Sequence, residues 1–235
     1  MGQWISIDTA RHPGFEAYLA TPPTGSGPGL LLLQEAMGVN PHIRTVADQY
    51  AAEGFTVLAP DVFWRLQPHL EFGYGEAEMQ KVMAAIGGLD FPLALQDIAH
   101  SIDALRARPE CTGKVAALGY CMGGLLSFLT AASGQVDAAV CYYGGRIQDH
   151  LHRLAEIRIP VLMHFADQDR FIPIAAIDTI VAACAGQPAL RVERYPADHG
   201  FNCPERAAYH HPSALLAKGR TLGFLARTLY PPTKE

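Results

Sequence analysis

Paired cysteines are missing from this sequence: the five thiols, Cys111, Cys121, Cys141, Cys184 and Cys203, form no CxxC pair, and an odd number does not make a disulfide framework. Reduced thiols are the expectation. Runs of Lys or Arg are also missing, and a net charge of −5 leaves no basic footprint of a nucleic-acid or anionic-membrane binder. No apolar run nears the ~18 residues of a membrane span, and Met1 to Asp8 has no basic stretch leading into an apolar one of signal-peptide length. A cytoplasmic protein without nucleic-acid or membrane partners is expected, as a monomer or weak homo-oligomer. Disorder is excluded too: 49% of the 235 residues are apolar and 17% charged, which fits one globular domain over residues 1–235 with no repeat or linker inside it.

What is present is alternation. Two N-terminal segments, Trp4 to Asp8 and Phe15 to Ala20, read as a strand pair, and Thr21 to Pro28 as the loop after them. Gly29 to Leu33 is a continuous apolar run of the kind taken by a strand covered on both faces. A helix follows with Ile43, Val46, Ala47, Tyr50 and Ala51 on one stripe and Gly54 at its end. The same pattern predicts strands at Phe55 to Ala59, Val115 to Gly119, Val136 to Tyr142, Ile159 to Phe165 and Leu190 to Tyr195. Helices fall between them: one with Leu95, Ile98, Ile102 and Leu105 on its apolar face, then Cys121 to Ala132 and Ile174 to Cys184. A last helix has Leu215, Leu222, Leu225 and Leu229 on one side, and Trp64 to Leu89 reads as a loop plus one helix near Glu76 to Ile86 that could cap a pocket. Strands alternating with helices imply a mostly parallel central sheet with helices on both faces, an α/β fold.

The sharpest motif is Gly119-Tyr120-Cys121-Met122-Gly123, between an apolar strand and an apolar helix. A nucleophile elbow needs this layout, because the strand-to-helix turn is too tight for flanking side chains and thrusts the central one above the sheet. Cys121 would then sit at a helix start, whose N–H groups and dipole favour a thiolate, with the Met122 N–H offered to an oxyanion. The alternative is a buried core cysteine in a glycine-rich turn.

Chain order separates the two readings, since α/β-hydrolases place nucleophile, acid and histidine in that sequence, each after a later strand. After Ile159 to Phe165 come Asp167 and Asp169, of which Asp169 is preferred, four residues before Pro173; a turn residue or helix cap is the plainer role for either. After Leu190 to Tyr195 comes Asp198-His199-Gly200-Phe201, which makes His199 the base; none of the other nine histidines has a comparable position. His199 would polarise the Cys121 thiol, and Asp169 would hold the ring in the right tautomer.

These residues, with Gln34-Glu35-Ala36-Met37-Gly38-Val39-Asn40, Ala59-Pro60-Asp61, Gly119 to Gly124, Tyr142-Tyr143-Gly144, Asp169 to Pro173 and His199-Gly200-Phe201, resemble the dienelactone hydrolases (carboxymethylenebutenolidases), thiol members of the α/β-hydrolase fold. The resemblance implies a Cys121, Asp169, His199 triad cleaving a lactone or carboxylic ester through a thioester, with no cofactor and no metal. It further implies that Glu35 lies against the resting thiol and that Ala36 gives the second oxyanion N–H beside Met122. Independently, Glu35 ends a buried strand, where a carboxylate needs a partner. Trp64, Tyr74, Tyr143 and Phe171 are candidate substrate-binding walls. The family holds a substrate carboxylate with two arginines; here Cys203 stands four residues after His199, no arginine lies between Arg65 and Arg106, and Arg206, Arg65, Lys81 and Arg146 are the candidate replacements.

Other readings compete. His199, Cys203, His210 and His211 could be offered as a metal site, but Pro204 and the Asp-His-Gly loop work against helical spacing. Gly25 to Gly29 precedes a strand where a nucleotide loop would follow one. A catalytically silent small-molecule binding protein on the same fold is the rival from another class.

Overall fold

The computed structural model describes residues 2–9 and 12–230. Two compact units divide the chain, Met1–Val115 and Ala116–Glu235. In the first, strands β1 (Gln3–Thr9), β2 (His12–Ala20), β3 (Gly27–Leu33) and β4 (Thr56–Pro60) run in the order β1-β2-β4-β3. β1 pairs with β2 and β2 with β4 antiparallel, whereas β3 and β4 are parallel. Every residue of β3 and β4 is buried, which is why both read as unbroken apolar runs. Helix α1 (Pro41–Ala52) is started by Asn40, whose Oδ1 accepts the Ile43 N–H at 3.1 Å, and buries the predicted stripe.

Helices α2 (Glu76–Gly88) and α3 (Phe91–Arg106) complete this unit. In α3 the buried face is Ala94, Asp97, Ile98, Ser101, Ile102 and Leu105; Leu95, expected on it, is only half-buried. Asp97 is tolerated there because the Arg65 guanidinium donates to it twice, at 2.9 and 2.8 Å.

The second unit holds β5 (Cys111–Tyr120) from Ala116 onward, α4 (Met122–Ser133), β6 (Ala138–Tyr142), β7 (Val161–Ala166), α5 (Ile174–Cys184), β8 (Leu190–Tyr195) and α6 (His211–Leu229). Its strands are parallel in the order β5-β6-β7-β8, with Tyr120 opposite Tyr142, Tyr142 opposite His164 and Ala166 opposite Tyr195. That register brings the C-terminal ends of all four strands to one edge, from which the loops carrying Cys121, Tyr143, Asp169 and His199 emerge. Between β6 and β7 lies a 3₁₀ segment, Ile147–Glu156, that the apolar spacing does not announce.

Helix α6 differs from expectation. Its buried stripe is Ser213, Ala214, Ala217, Thr221, Phe224, Leu225 and Leu229, while Leu215 is 64% exposed and Leu222 half-buried. Small and hydroxyl side chains face the sheet because Thr221 is bonded there: its Oγ1 pairs with the Tyr142 hydroxyl at 2.7 Å and with Nε2 of His164 at 3.0 Å. No single helix among the described residues is long and apolar enough to cross a membrane.

Candidate active site

Cys121 caps α4 with φ +55° and ψ −116°, a backbone geometry that residues with a side chain rarely adopt. Three glycines make the turn possible. A Cβ on Gly119 would lie 2.0 Å from the Gly123 carbonyl oxygen, one on Gly124 would lie 2.6 Å from that of Tyr142, and one on Gly144 would lie 2.8 Å from the Gly124 carbonyl carbon. The Cys121 N–H donates to the Tyr142 carbonyl at 3.0 Å, which pins the elbow to the end of β6. Met122 begins α4, so its N–H belongs to the first turn, where no helical carbonyl is available.

Asp169 and His199 converge on that thiol. Asp169 Oδ2 lies 2.8 Å from His199 Nδ1, and its Oδ1 accepts the N–H groups of Phe171 at 2.8 Å and Ile172 at 2.9 Å. Both side chains are buried, and the imidazole is also hydrogen-bonded with Cys121. Burial works to lower the His199 pKa, but the charge of Cys121, the bonds to Asp169 and Cys121 and the charge of Asp169 prevail and lift it to about 10. An imidazole biased toward its charged form beside a thiol is the arrangement that a thiol nucleophile needs. Asp167, the rejected acid, is instead engaged by Arg194 at 2.6 Å.

Aromatic rings wall this triad. Tyr143, fully buried and at φ +37°, lies 5.0 Å from the His199 ring and 5.5 Å from Phe201, both centroid to centroid. Phe171 packs edge-on to His199 at 5.1 Å yet is 58% exposed. A half-exposed aromatic over a buried imidazole is a surface suited to an apolar substrate.

The first unit supplies a second cluster at the end of β3. Glu35 is fully buried, and its Oε2 accepts the Tyr74 hydroxyl at 2.9 Å; Asn40 Nδ2 in turn donates to Tyr74 at 3.2 Å. Gln34 Oε1 accepts the Val62 N–H at 3.0 Å. Ala36 and Met37 pack with Val82 of α2, alongside Phe72, Tyr74 and Ile86. Gly38 turns the chain at φ +82°, where a Cβ would meet the Leu70 carbonyl oxygen at 2.0 Å.

The dienelactone hydrolase family model matches residues 15–229. The chain belongs to that family. It is similar to the carboxymethylenebutenolidase of Pseudomonas sp. (strain P51), 33% identical over 95% of this chain and 94% of that one. The Pseudomonas putida carboxymethylenebutenolidase is 32% identical over 94% of this chain and 95% of its own. Among solved structures, a Klebsiella pneumoniae protein provisionally named a dienelactone hydrolase superposes with a TM-score of 0.85 at 27% identity, covering 97% of this chain and 98% of that one. The fold is therefore the α/β-hydrolase fold, and the protein is a carboxylic ester or lactone hydrolase. Family membership sets aside the silent binding protein.

The remaining predicted residues divide by their surroundings. Trp64 is held by its indole N–H to Asp97 at 2.8 Å, stacked on Phe15 at 5.6 Å and covered by the Arg65 guanidinium. Of the four candidate cations, Arg65 is engaged by Asp97, Lys81 by Glu78 and Arg146 by Asp149. Arg206 lies along the His199-Gly200 turn, close enough that a Cβ on Gly200 would sit 2.5 Å from its Cδ. All five cysteines are free, and Cys111 is only half-buried. Cys203 is fully buried, and burial pushes the thiols of Cys141 and Cys184 up, the latter to about 11. Sequence reasoning named Tyr74 and Asp198 but missed what they bond, because their partners Glu35 and Arg170 lie 39 and 28 residues away in the chain.

Proposed function

We propose that this hydrolase opens lactones or activated esters with Cys121 as nucleophile, His199 as general acid and base and Asp169 as the group orienting the imidazole, and that residues 1–235 act as one α/β-hydrolase domain. The observation carrying the reading is the chain of hydrogen bonds from Asp169 through His199 to Cys121 at a strand-to-helix turn of positive φ. The Cys121 sulfur bonds to the substrate carbonyl carbon, and the oxyanion takes up the Met122 N–H together with that of Ala36, the latter by the family pattern. Collapse breaks the C–O bond, and the departing oxygen takes the proton from His199, leaving a thioester. His199 then removes a proton from water, whose oxygen attacks the thioester carbon; the C–S bond breaks and the thiolate returns. Glu35, again by the family pattern, is the carboxylate set against the resting thiol. A thiol suits an ester with a good leaving group, since acylation then needs no strong base.

The test is pre-steady-state hydrolysis of 4-nitrophenyl acetate with mass mapping of the acylated residue. The expected outcome is a burst of about one nitrophenolate per chain, acetyl on Cys121, and loss of the burst in Cys121→Ala. Acetylation spread over the five cysteines, or turnover retained in Cys121→Ala, refutes the assignment.

A further inference from the structure

The ladder between β7 and β8 does not stop at the strand ends. The Asp167 N–H donates to the Tyr195 carbonyl at 2.8 Å and the Gln168 N–H to that of Ala197 at 3.0 Å. Beyond this point the Asp198 side chain takes over from the backbone. Its Oδ1 accepts the Arg170 N–H at 3.1 Å and the His199 N–H at 2.6 Å, while its Oδ2 accepts Arg170 Nε at 2.8 Å and the adjacent guanidinium nitrogen. One carboxylate thus binds a backbone N–H from each of two loops, and those N–H groups flank Asp169 on one side and belong to His199 on the other.

We propose that Asp198 and Arg170 are positioning residues for the hydrolysis, a clamp that sets the acid loop and the base loop in register so that Asp169 meets the His199 ring; the inference rests on the triad reading above. Neither residue touches the reacting atoms. Burial alone would raise the Asp198 carboxyl, but the Arg170 guanidinium and the two N–H bonds outweigh it and hold the carboxyl below its ordinary value. The Arg170 side chain is 66% exposed, so the pair adds little to global stability, and its effect is geometric. A comparable exposed pair nearby makes the contrast: Arg194 bridges Asp167 and Asp178 at 2.6 and 2.7 Å through side chains alone, with no bond to the N–H of either triad residue.

The test measures kcat and KM on 4-nitrophenyl acetate for the full chain and for Arg170→Ala, Asp198→Ala, their double variant, Arg170→Lys, Arg194→Ala and Cys121→Ala. Each clamp single is expected to lower kcat roughly tenfold with KM moved by less than about twofold, since misplacement of a catalytic pair reduces turnover more than binding. The double variant should be no slower than the slower single, because the pair acts as a unit. Arg170→Lys should regain about threefold of kcat, keeping charge without the bidentate fork. Arg194→Ala should match the wild type. The clamp is overturned if the singles keep wild-type kcat, if their losses multiply in the double, or if Arg194→Ala loses as much. Turnover surviving in Cys121→Ala would instead overturn the triad reading. Should Asp198→Ala not fold, Asp198→Asn, which retains an oxygen for the two N–H groups but drops the charge, carries the same comparison, with a wild-type kcat overturning the role of the charged pair.

Discussion

At position 121 a thiol is carried on backbone that side chains avoid, and φ +55° with ψ −116° stores on the order of 1–3 kcal/mol. Glycine removes that strain at an entropic cost of about 0.4–1 kcal/mol in the unfolded chain. Cys121→Gly should therefore be about 1 kcal/mol more stable than Cys121→Ala, both being inactive, as read from urea unfolding. An alanine variant as stable as the glycine one would show the backbone to be unstrained. Two buried histidines make a second contrast at this scale. The Cys121 and Asp169 groups around His199 raise its pKa, whereas that of His164, bonded to the Tyr195 hydroxyl at 2.8 Å and to Thr221, is driven to about 3 by burial, then by the charges of Arg220 and Arg191. Residue type alone does not say which imidazole does chemistry.

Among the elements, the elbow is a tight joint. A methyl on Gly124 would press on the carbonyl that accepts the Cys121 N–H, and backbone cannot give way as a flexible side chain can. Gly124→Ala is expected to cost about 2–4 kcal/mol and to lower kcat together with stability, seen as parallel shifts in the urea midpoint and in ester turnover. Elements governed by their own residues were legible in the chain: α5 and β8 fall where the apolar pattern puts them, and Cys121, Asp169 and His199, singled out by strand ends and chain order, lie together in the structure. Leucine counting misled in α6, because the face against the sheet is chosen by hydrogen bonds to Thr221 and by close packing of Ala214 and Ala217. The 3₁₀ segment escaped because its short turns carry no 3.6-residue period. Long-range polar pairs such as Arg170 with Asp198 join residues 28 apart in sequence and become visible only when β7 and β8 are aligned.

For the whole molecule, the buried His164 imidazole makes stability depend on pH. His164 is depressed from 6.5 to about 3, so its neutral form stabilises the fold fully above pH 6.5 and progressively less as pH falls toward 3. Melting curves from pH 7 to pH 4 should fall less steeply for His164→Gln than for the wild type, the difference approaching one proton, about 1.4 kcal/mol per pH unit. Equal slopes would mean that His164 takes up no proton on unfolding.

The strained elbow also has a historical consequence. Once selection for hydrolysis lapses, nothing retains a side chain at position 121, and the backbone there favours glycine. Glycine there relieves the backbone strain while taking the Cys121 side chain away from the His199 imidazole. A related sequence reading Gly-Tyr-Gly at this turn would have shed the backbone strain and the thiol together.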